Sequence, residues 1–129
     1  MSLLIGLDIG TTSVKVGVYD PAGSQLAAVG REYALDHPAP DRAEVDATTY
    51  WTATVSAVRE ALRAAGGDPT RLDAGADGGS VAADVAAIAV SSQGETVVAV
   101  DAQGRPLGPA IVWLDNRALA EARELAGRF

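Results

Sequence analysis

Cysteine is absent from the 129 residues, which excludes a disulfide framework and any thiolate metal centre. Lysine occurs once, as Lys15, and the other nine basic residues are arginine. Set against 17 acids they leave a formal net charge of −7, with no basic stripe of the kind that binds a nucleic-acid backbone. Histidine also occurs once, as His37, inside the loop His37-Pro38-Ala39-Pro40-Asp41, where it reads as a loop residue rather than a catalytic one. No apolar run approaches the length of a membrane span. The apolar start, residues 1–10, has no positively charged leader and is interrupted by Asp8, so it does not read as a signal peptide. A reducing cytoplasm is the expected compartment, with neither nucleic acid nor membrane as a partner.

What is present describes an ordinary globular chain, 48% hydrophobic and 21% charged, of one domain's length or part of a larger domain. Leu3-Leu4-Ile5-Gly6-Leu7-Asp8-Ile9 is a continuous apolar run with one acid near its end, as expected of a central strand covered on both faces. After Gly10-Thr11-Thr12-Ser13, Val14, Val16 and Val18 alternate with Lys15, Gly17 and Tyr19, the period of a second strand. Asp20-Pro21-Ala22-Gly23 has the order of a type I turn, and a third, edge-like strand is expected over about residues 25–33. Two short turns joining three strands make an antiparallel meander.

A helix is expected next, capped by Asp46, with Trp51, Val55, Val58, Leu62 and Ala65 at helical spacing and Gly66-Gly67 at its end. Trp51 reads as a core anchor. Residues 67–84, rich in Gly, Ala and Asp and without a period, read as a flexible surface loop. Residues 85–92 form a fourth buried strand, parallel to the first. A β-hairpin is expected from residues 96–100, through Asp101-Ala102-Gln103-Gly104, back to Ala110-Ile111-Val112-Trp113. A last helix follows from about Asn116, with Leu119, Ala122, Leu125 and Ala126 on one face. The order β-β-β-α-β, then a hairpin and a helix, is that of an α/β fold.

Three constellations carry chemistry. In Asp8-Ile9-Gly10-Thr11-Thr12-Ser13-Val14-Lys15 a carboxylate ends a strand, a glycine permits a close turn, and three hydroxyls with several backbone N–H groups crowd it. Such a turn can wrap phosphate oxygens. Lys15 adds a compact positive charge, and Asp8 could hold a hydrated Mg²⁺, which favours one or two carboxylates and keeps its waters. An ordinary hairpin with polar turn residues explains the same spacing. The order is not that of a P-loop, which needs a longer glycine loop leading into a helix. In Ser91-Ser92-Gln93-Gly94-Glu95-Thr96, beyond the end of the fourth strand, a carboxylate and an amide could fix the hydroxyls of a polyol. A turn of solvated polar residues is the bland alternative. In Ile111-Val112-Trp113-Leu114-Asp115-Asn116-Arg117, Trp113 offers a flat face to a sugar, though a Trp at a strand end is more often core, Asp115 could equally cap the last helix, and Arg117 could simply pair with Asp115.

Gly6 to Lys15, then Glu44-x-Asp46 with Trp51, then Ser92-Gln93-Gly94-Glu95-Thr96, then Ala110-Ile111-Val112-Trp113-x-Asp115-x-Arg117, taken in this order, resemble the start of the FGGY carbohydrate kinases. The resemblance covers nearly the whole chain apart from residues 67–84. It implies a ribonuclease-H-like mixed sheet of the actin/Hsp70/hexokinase group, left incomplete, with residues 1–129 forming the amino-terminal portion of the first kinase domain and the second domain absent. It implies ATP with Mg²⁺ and a sugar or polyol substrate. Asp8 would lie near the metal and γ-phosphate, and Gly10, Thr11, Thr12, Ser13 and Lys15 would hold ATP phosphates. Gln93, Gly94, Glu95, Trp113, Asp115 and Arg117 would line the substrate site, Glu95 holding hydroxyls. Gly94 stands where the glycerol kinase branch has an arginine, and the Met-His pair of xylulokinases is missing, so the substrate stays open. The general base, an Asp, is expected downstream of this chain, which is therefore expected to be inactive alone, and its half-completed core is expected to expose apolar surface and make it self-associate as a dimer or larger. A chaperone- or actin-like ATPase piece and a non-catalytic binding remnant are the alternatives.

Overall fold

A computed structural model describes residues 2–66 and 85–129, so the loop expected at 67–84 lies outside the described residues. The elements are β1 (Leu3–Ile9), β2 (Ser13–Tyr19), β3 (Gln25–Glu32), β4 (Glu44–Val45), α1 (Ala47–Ala64), β5 (Val85–Ser92), β6 (Ala110–Ile111) and α2 (Leu119–Ala126). The chain divides into two compact units: residues 1–33 with 50–93, and residues 34–49 with 94–129.

The first unit is a four-stranded sheet in the order β3-β2-β1-β5. β1, β2 and β3 form the expected antiparallel meander, and β5 lies parallel to β1, pairing Ile5 with Ile88 and Asp8 with Ser91. Asp20 builds the turn between β2 and β3: its Oδ1 accepts the Ala22 and Ser24 N–H groups, and Gly23 takes φ +88. Val14, Val16 and Val18, with Leu3 and Ile5, present one face to Ala57, Ala61 and Leu62 of α1. Asp46 caps α1 as expected, its Oδ1 accepting the Thr48 N–H at 2.8 Å, and Gly66 at φ +78 follows its last turn.

Two expectations about this unit fail. Trp51 is no core anchor, since it is 73% exposed. The buried face of α1 is instead Thr54, Ala57, Ala61 and Leu62. The sheet's valines already fill the interface, so the helix lays its small side chains there and turns the indole outward. β5 takes its expected place and direction but is not buried. Among the described residues it is one of the two sheet edges, and Ile88 and Val90 are 52% and 62% exposed.

The second unit contains only the two-stranded pair β4-β6, with α2 exposed along its length. The expected hairpin is reduced to isolated bridges, Val97 to Ile111 and Val100 to Pro106, around a turn at Asp101. Pro106 and Pro109 withhold the N–H groups a longer ladder needs, and Ala110–Ile111 pairs with Glu44–Val45 instead. The last helix begins at Leu119, with Ala118 at its cap, so Asp115 is not that cap.

Candidate phosphate turn and substrate segments

The strand register assembles the first constellation. Asp8 on β1 lies directly opposite Lys15 on β2 and Ser91 on β5, on the sheet face away from α1. Asp8 and Lys15 are both exposed there, beside a shallow depression of about 380 Å³ that also includes Gly6, Gly17 and Tyr19. The Tyr19 ring lies over Gly17 in it, where an added Cβ would meet the ring at 2.6 Å.

Beyond Ile9 the chain turns tightly through Gly10-Thr11-Thr12-Ser13. The Gly10 N–H donates to the Ser13 carbonyl at 2.8 Å, and a Cβ on Gly10 would press on that same oxygen at 3.1 Å. Glycine is therefore needed here for close approach rather than for an unusual φ. Such a turn suits an anion's oxygens. Among the described residues no three His, Cys, Asp or Glu side chains come together as a metal cage. A divalent ion beside Asp8 would thus be held mainly by water and phosphate oxygens, the way magnesium is commonly bound.

Gln93 closes β5 against this turn, its backbone N–H donating to the Ile9 carbonyl at 2.9 Å. Its side-chain Nε2 donates to the Tyr50 hydroxyl at 2.9 Å, while its Oε1 is buried without a partner. Tyr33, just past β3, donates its hydroxyl to the Gly10 carbonyl at 2.5 Å and stacks at right angles on Tyr50. Burial is the main reason its phenol is pushed up to about 12, with Tyr50 and Asp8 adding to the effect. Sequence reasoning did not select Tyr33 or Tyr50. A tyrosine at a strand end and another on a helix carry no motif, and only the fold brings them together.

In the second unit Glu95 is exposed and has φ 63, the one non-glycine left-handed residue among those described. Strain of this kind concentrates at functional positions. Nothing lies within 4 Å of a Cβ built on Gly94, so this position is open space. Trp113 follows β6 and is half exposed.

Asp115 and Arg117 are drawn into a clamp with Glu44, which the sequence placed in a separate block and did not link to them. Arg117 Nη2 reaches Asp115 Oδ2 at 2.6 Å and Glu44 Oε1 at 2.5 Å, and Asp115 Oδ2 accepts the Ala43 N–H at 2.8 Å. The Asp115 side chain is only 3% exposed. The hydrogen bonds from Arg117 are the chief cause that holds its carboxyl well below the usual carboxylate range, and the same contacts raise Arg117. The pairing of Arg117 with Asp115 that the sequence allowed is thus present, and a second acid joins it. No helix among the described residues is long and apolar enough to cross a membrane.

Comparison with known proteins bears on all three segments. The family model of the FGGY family of carbohydrate kinases, N-terminal domain, matches residues 3–128. A glycerol kinase of Methylobacterium radiotolerans is 40% identical over 119 residues, covering 91% of this chain and 21% of that protein. A ligand-bound xylulose kinase from Lactobacillus acidophilus superposes with a TM-score of 0.80 at 26% identity, over 99% of this chain and 23% of its own. The glycerol kinase of Plasmodium falciparum, solved with ADP, shares the fold at TM-score 0.75 and 22% identity, over 100% of this chain and 24% of its own. The mixed sheet is therefore the ribonuclease-H-like one of the actin, Hsp70 and hexokinase group. This chain spans between about a fifth and a quarter of the lengths of the curated relatives it matches.

Proposed function

Because the chain belongs to the FGGY family of carbohydrate kinases, as its N-terminal domain, we propose that it supplies the phosphate turn and one wall of the substrate site to an ATP-dependent sugar or polyol kinase. The observation that carries this reading is the row Lys15, Asp8, Ser91 across three strands beside the close turn at Gly10. Gly10, Thr11, Thr12 and Ser13 cradle phosphate oxygens, Lys15 offsets their charge, and Asp8 orients a water-ligated Mg²⁺. When bound, the metal neutralises charge on the transferred phosphoryl group, and phosphoryl transfer is mostly such positioning and electrostatics.

On the substrate side Glu95 takes hydroxyls, Trp113 covers the carbon face, and Asp115 and Arg117 hold that segment in place. The open space at Gly94 favours a substrate larger than glycerol: a pentulose, a four- or five-carbon polyol or a sugar acid. The general base and the adenosine pocket belong to parts of such kinases beyond these segments, so this chain alone turns over no sugar. The exposed Ile88 and Val90 on the unpaired β5 edge drive its self-association. The compartment is the cytoplasm.

Steady-state kinetics on a full-length protein carrying this chain test the reading. A charge-assisted hydrogen bond is worth about 1.5–3 kcal/mol, so Glu95→Ala lowers kcat/KM for the sugar by roughly tenfold or more. Unchanged sugar kinetics with weakened ATP use would remove Glu95 from the sugar wall. Glycerol as the best substrate in a panel would overturn the reading of Gly94.

A further inference from the structure

Three carbonyl oxygens of the turn between β1 and β2 are each covered by a donor. Tyr33 covers two of them: its backbone N–H donates to Thr12 at 2.9 Å and its hydroxyl to Gly10 at 2.5 Å. The third, on Ser13, accepts the Gly10 N–H at 2.8 Å. A carbonyl oxygen is the negative end of the peptide dipole, and an anion entering a turn is repelled by any that faces it. Covering these oxygens helps to set the sign of the turn. The peptide unit is rigid and planar, so holding the Gly10 oxygen also sets the plane of the Gly10–Thr11 peptide.

Tyr33 is itself held. Its ring meets Tyr50 at 90° with centroids 5.4 Å apart, and the Tyr50 hydroxyl accepts Nε2 of Gln93. Gln93 returns to the turn through its backbone bond to Ile9, the neighbour of Gly10. The contacts therefore close a circuit: Gly10, Tyr33, Tyr50, Gln93, Ile9. Every member lies in the sheet unit. A phenol is protonated at neutral pH in any case, and burial moves both Tyr33 and Tyr50 further from ionising, so Tyr33 remains a donor.

We propose that Tyr33 and Tyr50 are positioning residues, a brace that orients the Gly10 peptide for nucleotide phosphate and couples it to Gln93 at the end of β5. The proposal rests on the kinase reading above. It makes a specific demand: nucleotide affinity must depend on Tyr50, whose ring meets Tyr33 and whose hydroxyl accepts from Gln93.

The test uses a full-length protein carrying this chain. Tyr33→Phe keeps the ring and the backbone bond and deletes only the hydroxyl bond. It is expected to raise KM for MgATP, and the Kd for MgADP by calorimetry, about fivefold while leaving the sugar KM unchanged. Tyr50→Phe is expected to raise the same nucleotide constants by a smaller factor, and the double variant to bind no worse than Tyr33→Phe. Additive losses, no nucleotide effect of Tyr50→Phe, or a parallel rise of both KM values with a fall in melting temperature would overturn the brace. If the wild type neither binds MgADP nor phosphorylates any of a sugar panel, the kinase reading fails instead. The brace is then judged from ¹⁵N–¹H spectra of the 129-residue chain itself. There Tyr50→Phe must move the Gly10, Thr11 and Thr12 amide signals, and unmoved signals refute it.

Discussion

The two units of this chain are held together by opposite means. The sheet unit has an apolar core in which Leu3, Ile5, Val14, Val16 and Val18 meet Ala57, Ala61 and Leu62. The second unit buries only Ala43, Val45, Ala110 and Val112 and relies on polar ties across some seventy residues of sequence. Those ties are Arg117 to Glu44, Asp115 to Ala43, Val112 to Ala43 and Asn116 to Asp41. The proposed roles follow the same division. The turn proposed to take phosphate joins two paired strands of the sheet, the kind of support that positioning requires. Glu95 and Trp113 sit on irregular chain whose shape depends on a charged clamp, and segments of this kind vary in shape more readily than sheets.

The largest test of this contrast lies in the cores. Leu62→Ala empties a fully buried site and is expected to destabilise the sheet unit by about 2–5 kcal/mol. Leu125→Ala, on the exposed α2, is expected to change stability by less than about 0.5 kcal/mol. Chemical denaturation of the two variants measures the difference. Similar losses would mean that α2 is covered and that the second unit has a core of its own.

The clamp should give a smaller and local effect. Arg117→Met leaves Asp115 and Glu44 as adjacent unpaired acids, so the backbone amides of Ala43 and Val112 should exchange faster while those of β1 and β2 hold their protection. Acid provides the same test without a mutation. The folded carboxyl of Asp115 is depressed, so its contribution is present above the ordinary carboxylate value and is lost as the pH falls through the lower folded value. Loosening of the Ala43 and Val112 amides should begin below about pH 4, and in the sheet unit acid should act on the turn that the Asp20 carboxylate builds.

The smallest expected effect belongs to Tyr33. Its folded value, about 12, exceeds the ordinary value near 10, so its share of stability is complete below pH 10 and declines as the pH rises through 12. Tyr33→Phe should flatten the alkaline arm of the stability curve of the sheet unit. An unchanged arm would show that the phenol is less buried than its surroundings indicate.

Much of the fold was legible because its signals are local. The alternation of Val14, Val16 and Val18 dictated a strand face, Asp20-Pro21-Ala22-Gly23 dictated a turn, and Asp46 dictated a cap. The close turn after Asp8 was legible for the same reason, since glycine between a strand and hydroxyl residues has few other uses. Trp51 misled because helical spacing names a stripe but not which side of it meets the sheet, and the face that does so is Thr54, Ala57, Ala61 and Leu62. Residues 85–92 misled in burial alone, because an apolar run reports what a strand can tolerate, not what covers it.

The sequence by itself therefore determined the meander, the place of β5 in the sheet, the close turn at Gly10 and the family, since each rests on neighbours in the chain or on a motif. Only the tertiary structure decided that Arg117 answers to Glu44 as well as Asp115, that Glu95 takes a left-handed φ, and that Tyr33 and Tyr50 stand behind Gly10. The physical reason is common to all three. A pairing between distant residues is selected by where the backbone brings them, and charge, hydroxyl or ring alone names many possible partners and chooses none.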